Sequence, residues 1–239
     1  MKAKHSNLIF LLPNFFTAAS IFSGVFSMIS AVNGEFNQAS WLILLSLVLD
    51  GLDGRVARLT NTCSRFGIEF DSLADIVAFG VAPALLMYLF IGHDFGRFGV
   101  VASALFVIFG AVRLARFNIM TSQVEPSVFI GVPIPTAAVF ISLLVLLFEK
   151  YGVKNDYGIV IMVLSIMVSF LMVSNIRYPS FKKVNFSQKH RLKLFVVILF
   201  FALSIFMYPI EGITLVFTLY LLYGIIRAIT LMPKHLARK

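Results

Sequence analysis

The chain has 239 residues, 59% of them hydrophobic and only 13% charged, with mean hydropathy +0.94 and a net charge of +9. A soluble domain carries about 25% charged residues. A soluble globular enzyme is therefore excluded, and the expectation is an all-α polytopic membrane protein forming one integral-membrane domain over 1–239. The single cysteine, Cys63, excludes an internal disulfide. The positive charge is read as cytosolic loops and contact with anionic lipid, not as nucleic-acid binding.

Residues 1–14 begin with Lys2 and Lys4, continue as Leu8–Leu12 and stop at Pro13. They read as a short interfacial helix or a frayed terminus. Eight spans follow from the apolar runs, at 14–33, 39–59, 68–91, 98–118, 133–149, 157–176, 193–209 and 212–231. Most approach the roughly 20 residues a bilayer requires. Trp41, Tyr151, Tyr157 and Tyr208 fall at expected interfaces. With the N-terminus in the cytosol, 17 of the 20 Lys and Arg lie on the cytosolic side, and only Arg97, Lys150 and Lys154 lie outside. That asymmetry predicts both termini on the cytosolic side of the cytoplasmic (inner) membrane.

The second and third spans carry the chemistry. Asp50, Asp53, Gly54 and Ala57 fall at i, i+3, i+4 and i+7 of one helix, and Gly67, Asp71 and Asp75 at i, i+4 and i+8 of the next. Ionisable residues inside a membrane helix are costly and mark function. If the two helices pair through 59–66, Asp50 lies level with Asp75, Gly54 with Asp71, and Arg58 with Gly67. All four carboxylates then converge in one pocket about 12 Å deep, at roughly 1.5 Å per residue from the Arg58 end. Close carboxylates repel one another when ionised, and divalent cations relieve this; all-oxygen ligands suit Mg²⁺, Mn²⁺ or Ca²⁺. Two such ions are a known arrangement for displacement at phosphorus. Gly54 and Ala57 leave the helix face flat, and Arg58 supplies a fixed cation for a phosphate.

The string Asp-x2-Asp-Gly-x2-Ala-Arg-x8-Gly-x3-Asp-x3-Asp over 50–75 resembles, at every fixed position, the signature of the CDP-alcohol phosphatidyltransferase family. The resemblance implies a membrane enzyme that displaces CMP from a CDP-linked lipid with an alcohol, and it suggests a homodimer. It implies metal ligation by Asp50, Asp53, Asp71 and Asp75, with Asp75 also the candidate base. It further implies CDP-lipid binding by Gly54, Ala57, Arg58 and Gly67, and a place near the nucleotide for Asn14 and Thr17. The family core has six spans, which assigns 1–176 to the core and leaves 177–239 as a basic cytosolic connection and two extra helices.

A second stretch follows the fourth span. Arg113-Leu-Ala-Arg116-Phe117-Asn118, a polar loop Met120–Ser127, and then Phe129-Ile-Gly131-Val-Pro133-Ile-Pro135 make a rigid opening to the fifth span. This pattern resembles the phosphatidylserine synthase branch, with Val132 where Leu is frequent. It implies CDP-diacylglycerol as donor and L-serine as acceptor. Arg113 or Arg116 is then a candidate for the serine carboxylate and Asn118 a candidate for its polar groups. Interfacial anchoring is the competing reading of both arginines. Glycerol 3-phosphate, inositol phosphate or an amino alcohol stands as another acceptor. A divalent-cation transporter is the reading from a different class, opposed by a cluster lying toward one side rather than at the midplane. The four histidines have no ligand partner at metal spacing, and Ser72, between two aspartates, has no accompanying histidine. Glu69 points away from Asp71 on a helix.

Overall fold

The structure, a computed structural model, describes residues 3–60, 62, 64–120, 128–179 and 199–236. Cys63, most of the polar loop and most of the basic connection lie outside the described residues.

Helices α1 (Ala3–Val32) and α2 (Phe36–Leu59) form the first hairpin, turned at Gly34 with φ +81°. Serines set its register. Ser20, Ser23 and Ser27 of α1 donate to the carbonyls of Ser46, Leu42 and Ala39 at 3.3, 2.8 and 2.8 Å, and Ser46 donates back to Ser20 at 3.2 Å. Small hydroxyl side chains let two membrane helices approach and bond across their interface. The same register carries the N-terminal half of α1 alongside the charged half of α2. The sequence suggested a separate interfacial element ending at Pro13; instead α1 runs through Pro13 unbroken. Proline is tolerated in packed membrane helices, where neighbours satisfy the freed groups.

The third span is one continuous helix in three parts: α3 (Arg65–Asp75), a π-helical turn (Ile76–Val81) and α4 (Ala82–Phe90). Ser64 caps α3, its Oγ accepting from the Gly67 N–H at 3.0 Å. The π turn begins directly after Asp75, and such turns recur at functional sites. It lies where α1 crosses backbone to backbone: a Cβ on Gly24 would stand 2.8 Å from Ala78 Cα.

A 3₁₀ turn (Gly92–Phe95) leads to α5 (Arg97–Met120), followed by β1 (Val128–Ile130), α6 (Ile134–Tyr151), α7 (Lys154–Val173) and β2 (Arg177–Pro179). Residues 199–207 form α8, and α9 is Pro209–Leu236. Helix α6 is the centre of the bundle, with Ile134, Ala137, Ala138, Ile141, Val145 and Leu146 all buried. Phe22, Ile108, Phe170 and Leu219 point outward from α1, α5, α7 and α9, exposed as lipid-facing side chains are. Among the described residues, six helical stretches are long and apolar enough to cross a bilayer: Leu12–Val32, Arg65–Phe90, Arg97–Ile119, Ile134–Tyr151, Asp156–Val173 and Pro209–Ile226. Helix α2, 24 residues long, runs beside α1 but carries Asp50, Asp53, Arg55 and Arg58. The expected span at 193–209 is described only from residue 199.

Short strands β1 and β2, which the sequence did not suggest, pair antiparallel with Val128 opposite Pro179 and Ile130 opposite Arg177. Next to them, Gly131 takes φ +74°, its N–H bonds Ile176 O at 2.9 Å, and Val132 N–H bonds Leu171 O at 3.1 Å. At the far end of the bundle, Lys150 pairs with Glu211 and the Tyr151 hydroxyl donates to the same carboxylate at 2.7 Å. This cluster ties α6 to α9.

Candidate metal and nucleotide site

Helical periodicity places Asp50, Asp53, Gly54, Ala57 and Arg58 along one side of α2, and Gly67, Asp71 and Asp75 along one side of α3. The two helices do not pack closely on each other; α1 lies against both. An open pocket occupies the resulting gap. Pro13, Asn14 and Thr17 line it from α1, Asp53, Gly54, Ala57 and Arg58 from α2, and Thr62, Ser64, Gly67, Ile68 and Asp71 from the loop and α3.

Ligand oxygens of Asp50, Asp53 and Asp71 all lie within 4.8 Å of one another, and Asp53 and Asp71 also line this pocket. Asp75 stands just outside that group. Its carboxylate interacts electrostatically with those of Asp50 and Asp71. Asp53 and Asp75 are buried, and the oxygens Asp71 Oδ1 and Asp75 Oδ1 are sealed from solvent with no hydrogen-bond partner. Buried carboxylate oxygens without partners are costly. An all-oxygen set with spare, converging lone pairs fits a hard divalent cation. The residues present could therefore hold such an ion.

The surroundings fix these carboxylates. Thr17, 3% exposed, donates its hydroxyl to Asp53 Oδ2 at 2.7 Å, a charge-assisted bond from α1. Gly54 leaves room beside the Arg58 guanidinium: a Cβ there would lie 3.7 Å from Nη1. Gly67 sits where the Ser64 cap meets Asn14, and a Cβ would stand 3.2 Å from Ser64 Oγ and 3.6 Å from Asn14 Oδ1. Ser64 and Thr62 were not singled out from the sequence. A serine just before an apolar helix is a capping signal that could have flagged Ser64; Thr62 carried no such signal. Glu69 is exposed, away from the cluster.

On the far side of Asp75 lies the end of α5. Arg113 is 6% exposed, its guanidinium is 5.2 Å from the Phe117 ring centroid, and its Nε has no hydrogen-bond partner. It interacts electrostatically with Asp75. Arg116 is placed differently. Its guanidinium donates to the carbonyls of Val173 (2.8 Å), Ser174 (3.1 Å) and Ile130 (3.4 Å), and to Asn175 Oδ1 (3.2 Å). It staples the end of α7 to the Gly131 turn. Asn118 reaches across to α3, where its Nδ2 donates to Ser72 Oγ at 2.9 Å.

Compared with known protein families, residues 10–171 match the model described as CDP-alcohol phosphatidyltransferase. The chain belongs to that family. CDP-alcohol phosphatidyltransferases are transferases, and among curated proteins similar to this one is a CDP-diacylglycerol–serine O-phosphatidyltransferase of Helicobacter pylori strain J99. It is 54% identical over 234 residues, covering 98% of this chain and 97% of the relative. A protein of the same description from Methanocaldococcus jannaschii is 34% identical over 92% of this chain and 96% of its own length. Another from Bacillus subtilis is 34% identical over 72% of this chain and 92% of its own length. The family match takes in the pocket, the aspartates and the Gly131 turn and stops at residue 171, before α8 and α9.

Proposed function

We propose that this family member transfers the phosphatidyl group of CDP-diacylglycerol to the hydroxyl of L-serine, releasing CMP and forming phosphatidylserine. The observation that carries the reading is the 54% identity, over nearly the full length of both chains, to a protein described by that reaction. The geometry described above supports it. Asp50, Asp53, Asp71 and Asp75 would hold Mg²⁺ or Mn²⁺, two ions in this proposal, whose charge when bound neutralises the diphosphate and the displaced group. Arg58, at the pocket mouth, pairs with a donor phosphate. Gly54, Ala57 and Gly67 leave the walls flat for the nucleotide, between Asn14 and Thr17 of α1 and the α3 cap. Asp75 takes the proton of the attacking hydroxyl, and Arg113 beside it meets the serine carboxylate. Arg116 holds the wall behind them. Catalysis then rests on holding hydroxyl and phosphorus in line and on charge stabilisation.

The distribution of Lys and Arg supports a cytosolic pocket, where CDP-lipid and water-soluble serine meet, with both termini cytosolic in the cytoplasmic membrane. The family resemblance supports a homodimer. The decisive experiment offers the purified protein CDP-diacylglycerol with L-serine, glycerol 3-phosphate or inositol phosphate in separate reactions. Phosphatidylserine and CMP in equal amounts, formed fastest with serine, are expected. A higher rate with either phosphorylated acceptor refutes serine as the acceptor, and ion flux in proteoliposomes without CMP release refutes the transferase reading.

A further inference from the structure

We infer that Ser72 is a positioning residue that orients Asn118 toward the ammonium group of the acceptor, an inference that rests on the proposed serine transfer. Ser72 Oγ lies 3.1 Å from the Ile68 carbonyl and 2.9 Å from Asn118 Nδ2. A serine hydroxyl has a single hydrogen, and a backbone carbonyl can only accept. That hydrogen therefore goes to Ile68, and Ser72 can only accept from Asn118. The amide is thereby fixed with its NH₂ on Ser72 and its Oδ1 on the other side. Among the described residues no protein donor meets that oxygen.

The direction matters because of what stands nearby. Ser72 lies between Asp71 and Asp75 on α3, and Arg113 stands just over one helical turn before Asn118 on α5. A small acceptor at this junction finds a guanidinium for a carboxylate, a carbonyl oxygen for an ammonium, and Asp75 for a hydroxyl proton. These are the three functional groups of L-serine. With the amide reversed, two N–H donors would face the acceptor beside Arg113, an arrangement that repels an ammonium and welcomes a phosphate. The hydroxyl of Ser72 thus selects a zwitterionic acceptor without touching it.

The test compares Ser72→Ala and Ser72→Thr with the unaltered protein, using L-serine and 3-hydroxypropanoate, which lacks only the ammonium, and CDP-diacylglycerol as donor. Ser72→Ala is expected to raise KM for serine about tenfold, as loss of a directed bond to a charged group does, with a smaller change in kcat. The preference for serine over 3-hydroxypropanoate should fall by the same factor, and Ser72→Thr, which keeps the hydroxyl, should restore it. An equal loss with both acceptors, or an unchanged preference, overturns the inference. If Ser72→Ala does not accumulate, Asn118→Ala carries the test: a fall in preference of about tenfold or more supports the inference, and an unchanged preference overturns it. Failure of the unaltered protein to use serine is seen before any variant is made, and it removes the proposed function itself.

Discussion

Replacing Thr17 with valine changes almost nothing in shape but deletes a hydroxyl that α1 lends to the carboxylate cluster. Thr17 Oγ1 is 2.7 Å from Asp53 Oδ2 and 3.2 Å from its own helical carbonyl, Pro13 O. Its hydrogen belongs to the shorter, charged partner. Both residues are buried, Thr17 at 3% and Asp53 at 6% exposure, so water is poorly placed to replace the bond. A hydrogen bond to a charged group is worth about 1.5–3 kcal/mol, or a factor of about 10–150 in a binding constant. Thr17→Val should therefore raise the Mg²⁺ or Mn²⁺ concentration for half-maximal CMP release by about tenfold or more, measured at saturating CDP-diacylglycerol. Thr17→Ser should stay near the original value. An unchanged activation curve for Thr17→Val would show that the bond does not serve the aspartates, and the link drawn between α1 and the metal site would fall.

Asp75→Asn should lose on the order of 10²-fold or more in turnover while still binding CDP-lipid, whereas Arg58→Ala should raise KM for the donor; normal turnover of Asp75→Asn removes its assignment as base. In a Cys63→Ser background, cysteines at the exposed positions Asn33 and Asp156 should react with an impermeant reagent from outside intact cells, and one at Thr60 only from the cytosol. The opposite pattern inverts the topology. Gly131→Ala should lower the thermal unfolding midpoint sharply, because its φ is +74° and a Cβ would lie 2.2 Å from Met172 O. A midpoint within a degree or two of the original would mean that the turn relaxes freely.

The aspartate face was legible because helical spacing alone puts Asp50, Asp53, Gly54 and Ala57 on one side, and charges have few reasons to sit in lipid. Counting along a hairpin also brought the Asp50 and Asp75 carboxylates near each other, and the two interact electrostatically. What counting could not show is that α2 and α3 stand apart with α1 against both, because that depends on the serine register of α1 on α2 and on Gly24 admitting the π turn. Pro13 read as a stop by local propensity, which tertiary packing overrode. Arg113 and Arg116 looked equivalent in sequence. Only the fold shows that Arg116 is spent on carbonyls at the end of α7, while Arg113 is buried next to Asp75. The β1–β2 pair links segments some fifty residues apart through strands of three residues each, too short to leave a periodic signal.

The most direct measurement follows CMP and phosphatidylserine together as metal is returned to chelator-stripped protein supplied with CDP-diacylglycerol and L-serine. Aspartate-held cations serving transfer to serine predict no product without metal and equal amounts of both products when Mg²⁺ or Mn²⁺ is added. Full turnover with metal content shown to be nil, or CMP released without phosphatidylserine, would contradict it.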